Sequence, residues 1–321
     1  MVSIAVGLIP VIFLILIGYG LKQTFLSMPV FWKGLESLVY FLLFPALIIH
    51  SLSSAPLRGM DVIPLALSLL LSTFIISGLL LFWKPYLRFG NAAFTSIFMG
   101  STRFNTYIGI AIAGALYGET GLAIAAIVIA VLVPQVNILS ILVLTKFSSA
   151  EKFKKSRWQQ LILMASNPLI LASGAGIFLS LRYGSLPPVI DNLIADLGAT
   201  SIPLGLMAVG AGLKTNGLYS SKKFLMWTSV FKLLLMPLII ILTCNSFGVE
   251  ATHTKVAVLF GSLPAASTAY VLSRQLGGDA PLMAAIITIT TIASVLTMPI
   301  FLLFWPTLYG TGLAQEWFLL V

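Results

Sequence analysis

Long apolar runs separated by short clusters of charge dominate this chain. A helix needs about 20 residues to cross the hydrocarbon core of a bilayer. Taking the charged clusters as limits gives ten such runs: 2–21, 37–55, 62–83, 91–117, 120–145, 158–181, 192–213, 224–245, 254–273 and 281–306. The fourth, fifth and tenth exceed a single crossing, which predicts tilt or a break. The stretch 185–197 ahead of the seventh reads as an amphipathic surface piece, with the span proper starting near Leu197. No charged side chain precedes Lys22, whereas a signal peptide carries its positive charge before the apolar run. The first run is therefore expected to remain as a span.

Two of these runs are interrupted by residues that do not suit a lipid-facing helix. The fourth contains Gly100-Ser-Thr-Arg-Phe-Asn-Thr-Tyr-Ile-Gly109, and the ninth contains Gly261-Ser-Leu-Pro-Ala-Ala-Ser-Thr-Ala-Tyr270. Irregular polar backbone at membrane depth is tolerated only where it is buried in protein or lines a cavity. A pair of interrupted spans in corresponding halves of a chain points to a transporter's binding site.

Composition strengthens the membrane reading. Of 321 residues, 59% are hydrophobic and 8% charged, against about a quarter charged in soluble domains. The net charge of +9 would suggest nucleic acid in a soluble protein, but the loops here are too short to build a binding domain. It reads instead as topology. Of the 18 Lys and Arg, even-numbered connections hold Arg58, Arg182 and Lys255, Arg103 and Lys232 lie inside spans, and the rest fall in odd-numbered connections. That bias places the odd connections in the cytoplasm and both termini outside. The basic segment from Lys146 to Arg157 reads first as a topology anchor and second as a lipid or partner site. Cys244 is the only cysteine, so no intrachain disulfide forms, and no metal-ligand spacing is present.

The midpoint divides five spans from five, so the second half enters the membrane inverted. Pro10 matches Pro168 and Pro45 matches Pro203 at one offset, and Phe98-Met-Gly-Ser101 matches Leu259-Phe-Gly-Ser262 at nearly the same one. These ordered matches predict an all-α polytopic membrane protein of ten transmembrane helices, arranged as two inverted five-helix repeats, with broken helices 4 and 9 crossing.

Chemistry gathers at the interruptions. Arg103 lies about 18 Å along its span at 1.5 Å per residue, where a cation is costly. It either faces an anionic substrate or snorkels to a membrane face. Asn105 suits two roles, capping a half-helix or holding a carboxylate. Ser101 and Thr106 add donors. Pro264 removes a backbone donor, and Ala265, Ala266, Ser267 and Thr268 are small enough for close backbone approach. Two half-helix starts meeting at one point would present free N–H groups and partial positive charge, a setting for a carboxylate.

Lys232 reads first as neutralising carbonyls freed by Pro237 and second as balancing substrate charge. His50 reads first as packing and second as a proton carrier. Asn137 and Asn167 read as kink and packing polars; Tyr107 and Tyr270 read first as interhelical packing and second as facing an apolar part of a ligand. No Asp or Glu lies clearly mid-span, which disfavours a cation antiporter. No serine, histidine and acid set builds an enzyme site, and no cofactor is implied.

The motifs resemble the auxin efflux carrier family. Val39-Tyr-Phe-Leu-Leu-Phe-Pro-Ala-Leu-Ile-Ile49 is similar to its second span. Arg103-Phe-Asn-Thr-Tyr-Ile-Gly-Ile110 with Ala115-Leu-Tyr-Gly118 is similar to its fourth. Ile202-Pro-Leu-Gly-Leu-Met-Ala-Val-Gly-Ala-Gly-Leu213 is similar to its seventh, and Leu263-Pro-Ala-Ala-Ser-Thr-Ala-Tyr-Val-Leu272 with Gly277-Gly-Asp279 to its ninth. The likeness covers nearly the whole chain. It implies a plan shared with bile-acid sodium symporters and inverted-repeat sodium/proton antiporters, and a homodimer. A scaffold is implied for 1–55 (spans 1 and 2) and 158–214 (spans 6 and 7). A moving transport part is implied for 56–146 (spans 3–5) and 215–321 (spans 8–10), with 147–157 as the basic cytoplasmic loop. Asn105 and Pro264 fall where the family has its fourth-span asparagine and ninth-span proline. Ala111 replaces a frequent proline and Thr268 a frequent asparagine. The short central loop is that of a bacterial-type member, which implies the bacterial inner (plasma) membrane.

The expected function is secondary transport of a small organic anion, with Ser101, Arg103, Asn105, Thr106, Pro264, Ala266, Ser267 and Thr268 at the substrate and Lys232 or His50 in coupling. Proton and sodium both stand as coupling ions. An anion channel, a transporter-like sensor and a bile-acid-type sodium symporter are the alternatives.

Overall fold

The computed structural model describes residues 2–53, 62–87, 89–147, 168–183, 186–213 and 222–309. Among them all regular structure is helical. In chain order the helices are α1 (Val2–Gln23), α2 (Pro29–Ser53), α3 (Val62–Leu87), α4 (Asn91–Thr102), α5 (Thr106–Phe147), α6 (Pro168–Tyr183), α7 (Pro188–Gly212), α8 (Lys222–Ser246), α9 (Ala251–Ser262), α10 (Thr268–Leu276) and α11 (Ala280–Tyr309). The central basic loop from residue 148 onward, the start of the sixth predicted span with Asn167, and the connection holding Arg58 lie outside the described residues.

Six stretches of the described residues are long and apolar enough to cross a membrane. One of them, Asn91–Leu144, has 54 residues, about 80 Å of helix at 1.5 Å per residue and far more than one crossing. The chain reverses within it at Gly118, whose φ of 58° and ψ of −147° belong to a region that only glycine enters without strain. The two arms then pack tightly, since a Cβ on Gly121 would lie 2.3 Å from the Ala113 carbonyl oxygen. That turn falls between the predicted ends of spans four and five.

Two predicted boundaries are corrected. The helix of span two starts at Pro29, eight residues before the predicted limit of 37, and carries Lys33 and Glu36 on its first turns. Proline at the first helical position suits an N-terminus that has no N–H to satisfy. Span seven has no separate surface piece: α7 runs unbroken from Pro188 through Pro203 to Gly212.

Prolines shape two other helices. Pro45 and Pro237 each lack an N–H and press on the carbonyl four residues earlier. Directly before each, the helix widens into a π turn, Val39–Leu43 in α2 and Val230–Leu235 in α8, which relieves the clash locally.

The core is apolar, as in a water-soluble bundle, but the outer surface is apolar too. Large apolar side chains face outward, among them Phe13, Phe74, Phe178, Leu242 and Leu296. Hydroxyls lie inside and donate to carbonyls of their own helices, as Thr73 does to Leu69 and Thr291 to Ile287. In a medium without water each such group must find its partner internally.

Packing falls into two groups. α1, α2, α6 and α7 form one packed group and α3, α4, α8, α9, α10 and α11 another, while α5 touches both and α1 also meets α11. The closest approach is between α1 and α7. A Cβ on Gly18 would lie 2.0 Å from the Met207 carbonyl oxygen, and one on Gly210 would lie 1.8 Å from that of Ile15. The two backbones touch, which only residues without a side chain permit.

Candidate functional site

Helix α4 ends because Arg103 turns extended, with φ −82° and ψ 147°. Residues 103–105 are not helical, and α5 starts at Thr106. Its start is set by Asn105, whose Oδ1 accepts the N–H of Tyr107 at 3.1 Å and of Ile108 at 3.3 Å. This is the N-cap pattern, in which a short polar side chain satisfies amides that the first turn leaves open. Helix α9 ends in the same way at Leu263, with φ −63° and ψ 149°. Here the cause is Pro264, since the residue before a proline is pushed out of the helical region. Residues 263–267 are not helical and α10 starts at Thr268. Both α4 and α9 have 12 residues before the helix stops.

The two non-helical stretches touch. The Asn105 N–H donates to the Pro264 carbonyl at 2.9 Å. The Ala265 N–H donates to Thr290 Oγ1 of α11 at 3.2 Å. Phe104 meets Phe260 edge to face at 5.6 Å, and Tyr107 stacks on Phe44 at 4.5 Å.

Arg103 spans the junction. Its Nη1 donates to Asn137 Oδ1 at 2.6 Å and its Nη2 to Thr268 Oγ1 at 3.4 Å. Its Nε is buried with no partner, and among the described residues the guanidinium meets no carboxylate. Asn105 is 2% exposed, and with its oxygen used in capping its Nδ2 has no partner. Ser101 Oγ is likewise buried and unpartnered. Thr268 is exposed, Thr106 and Ser267 are half-buried, and Pro264 and Ala266 are buried in the second stretch. A guanidinium with no carboxylate partner, and a buried amide donor with no acceptor beside it, form an environment that an anion suits.

The two half-helix starts are not equivalent, which corrects the expectation that both lie open. Asn105 covers the start of α5, whereas Ser267 gives α10 no side-chain cap. At the start of α10 the Ala269 and Tyr270 N–H groups donate to the Ala266 and Ser267 carbonyls at 3.1 and 3.2 Å, and Thr268, which touches Arg103, stands there.

Two further assignments change, those of Asn137 and Lys232. Asn137, read from sequence as a packing polar, is the residue that holds Arg103. Thr290 escaped notice because one threonine among many in an apolar helix gives no signal. Lys232 does not neutralise carbonyls, since its amine reaches no acceptor among the described residues. His50 is not at the junction: its Nδ1 pairs with Asp191 Oδ1 at 2.8 Å, between α2 and α7. Among the described residues no group of three His, Cys, Asp or Glu stands ready for a metal.

A family model described as membrane transport protein matches residues 3–302. The chain belongs to that family, the family of the auxin efflux carriers. It is 24% identical over 306 residues, 92% of this chain and 95% of the relative, to the "Uncharacterized transporter YfdV" of Escherichia coli (strain K12). It is 26% identical over 272 residues, 82% of this chain and 84% of the relative, to the "Putative malonate transporter" of Rhizobium meliloti (strain 1021). The protein is a multi-pass membrane transporter, and the names of its family and relatives are those of transporters rather than enzymes.

Replacing Thr290 tests how firmly the second stretch is held. Thr290→Val keeps the shape but leaves the buried Ala265 N–H without an acceptor, which costs about 1–3 kcal/mol. A lower melting temperature in detergent is expected, with Thr290→Ser restoring it. Equal melting temperatures for Thr290→Val and wild type would remove Thr290 from this role.

Proposed function

We propose that this transporter is a secondary carrier of a small organic anion, with a short dicarboxylate such as malonate as the first candidate. The observation that carries this reading is the junction itself: Arg103 and Asn105, both with unpartnered donors, beside the uncapped start of α10. The name of the Rhizobium meliloti relative supports the substrate class. Substrate is held by Arg103, Asn105 and Thr268, with the backbone of 264–268 around it and Ser101 and Thr106 at the edge.

On this reading the chain has ten spans in two inverted repeats, and the junction is the crossing of broken spans four and nine. The equal lengths of α4 and α9, and their shared exit into extended backbone, support the repeat. The two packing groups support a scaffold of α1, α2, α6 and α7 and a transport part that moves against it like an elevator. The loop charges support an inner-membrane orientation with both termini outside. The protein works as a homodimer.

In proteoliposomes, labelled malonate is expected to enter by counterflow against unlabelled malonate and to saturate with concentration. Uptake linear with concentration would mark a channel instead. Binding without any flux would mark a sensor, and strict dependence on sodium a sodium symporter. The asparagine gives a sharper check. Asn105→Asp keeps the cap but places a negative charge where Nδ2 stood. The variant is expected to fold normally and to lose malonate affinity by about tenfold or more, read by thermal stabilisation. Unchanged affinity would place the substrate elsewhere.

A further inference from the structure

Lys232 is the residue that this reading leaves without a task. It is fully buried, its amine has no hydrogen-bond partner among the described residues, and it stands in the π turn of α8. Turns of this kind recur at functional positions. The amine lies 5.9 Å from the centre of the Phe104 ring, in the middle of the first non-helical stretch. Arg103 reaches Asn137 of α5 and Thr268 of α10, whereas the Phe104 ring meets Lys232 and Phe260.

Among the described residues, the helices packed on Lys232 carry no carboxylate within their length; Glu250 and Asp279 stand just before α9 and α11 and accept from N–H groups of those helices. Against its turn pack the rest of α8, α4, α9 and α11. α8 brings Lys222, Lys223 and Cys244, α9 brings His253 and Lys255, α11 brings Tyr309, and α4 brings no titratable group. The neighbouring non-helical stretch adds Arg103. No carboxylate is carried by any of these elements. Among the described residues an ammonium here therefore has only the face of Phe104 to answer it, and a bound substrate anion would supply the compensating charge.

Arg103 and the two histidines of the described residues are placed differently. A guanidinium does not release its proton, so Arg103 keeps its charge through the cycle. His50 is held by Asp191, and His253 by Glu250 at the start of α9.

We propose that Lys232 is the proton carrier of the transport cycle, a statement that rests on the anion-carrier reading above. As the dianion enters beside Arg103, the Lys232 amine lone pair by the Phe104 ring takes one proton from water and becomes an ammonium. When the anion leaves, the ammonium returns that proton. Arg103 balances one substrate charge and Lys232 the second, so anion and proton move together.

The test is proton uptake on binding. Purified protein in weakly buffered detergent at pH 7.5, with a pH-indicating dye, is mixed with malonate, and thermal stabilisation by malonate is measured in parallel. Wild type is expected to take up close to one proton per protomer, and its affinity to rise by up to tenfold per pH unit from pH 9 down to pH 7. Lys232→Met is expected to bind more weakly, with no proton uptake and no dependence on pH. Lys232→Arg is expected to bind without proton uptake. Binding by wild type without proton uptake overturns the role of Lys232 and leaves the carrier reading standing, whether or not the variants fold. Equal proton uptake by wild type and Lys232→Met also overturns it. Absence of stabilisation by malonate and by any of a panel of two- to four-carbon carboxylates overturns the carrier reading and this inference with it.

Discussion

Arg103→Ala is expected to abolish malonate uptake, with a loss of about 100-fold or more, while leaving a protein that folds. Removing one member of a buried charge pair costs about 2–5 kcal/mol, and here the missing member would be the partner of the substrate. Without substrate the same change removes a cation that has no carboxylate to answer it. The melting temperature of the empty variant should therefore stay within a few degrees of wild type, or rise. Arg103→Lys keeps the charge but loses the planar fork that reaches Asn137 and Thr268 together, so an intermediate loss is expected. Loss of folding along with uptake in Arg103→Ala would mean that the arginine is structural.

Gly210→Val is expected to prevent assembly of the α1–α7 pair. A Cβ at this position would sit 1.8 Å from the Ile15 carbonyl oxygen, a backbone atom that cannot turn aside. The helices would have to separate along their whole contact, at a cost beyond the roughly 3 kcal/mol usual for overpacking. No monodisperse protein is expected in detergent, and even Gly210→Ala should melt well below wild type. Gly212→Ala is the control: a Cβ there meets nothing within 4 Å, and wild-type behaviour is expected. A stable Gly210→Val variant would show that α1 and α7 do not pack as described.

Sequence and structure agree best where a side chain dictates the backbone. Pro264 forces Leu263 out of the helical region, so the end of α9 is readable from one residue. The turn at Gly118 follows in the same way, because the charged Glu119 and two glycines separate two apolar runs. Helix starts were harder to place. Pro29 and Pro188 begin helices several residues before the apolar runs do, since a proline start is independent of hydropathy. The site was legible in its residue types but not in its contacts. Arg103, Asn105 and Thr268 stand out as polar residues in apolar runs. That Asn137 rather than an acid receives Arg103, and that Asn105 spends its oxygen on the α5 cap, depends on which helices meet. Pairings between residues 34 or 165 positions apart leave no trace in local pattern. Lys232 departs from its local pattern for a related reason: proximity to Pro237 in sequence suggests free carbonyls, but the π turn of Val230–Leu235 accommodates the proline.

The account stands on an anion lying between Arg103 and the start of α10, and protection of a thiol there tests it most directly. Cys244 is the protein's only cysteine and is fully buried, so Cys244→Ala gives a background in which Thr268→Cys is the single reactive site. Labelling of that thiol by a maleimide should slow by about tenfold at saturating malonate, with half protection at the concentration that gives half of the thermal stabilisation. Equal labelling rates with and without malonate, while malonate still stabilises the same variant, would contradict the account.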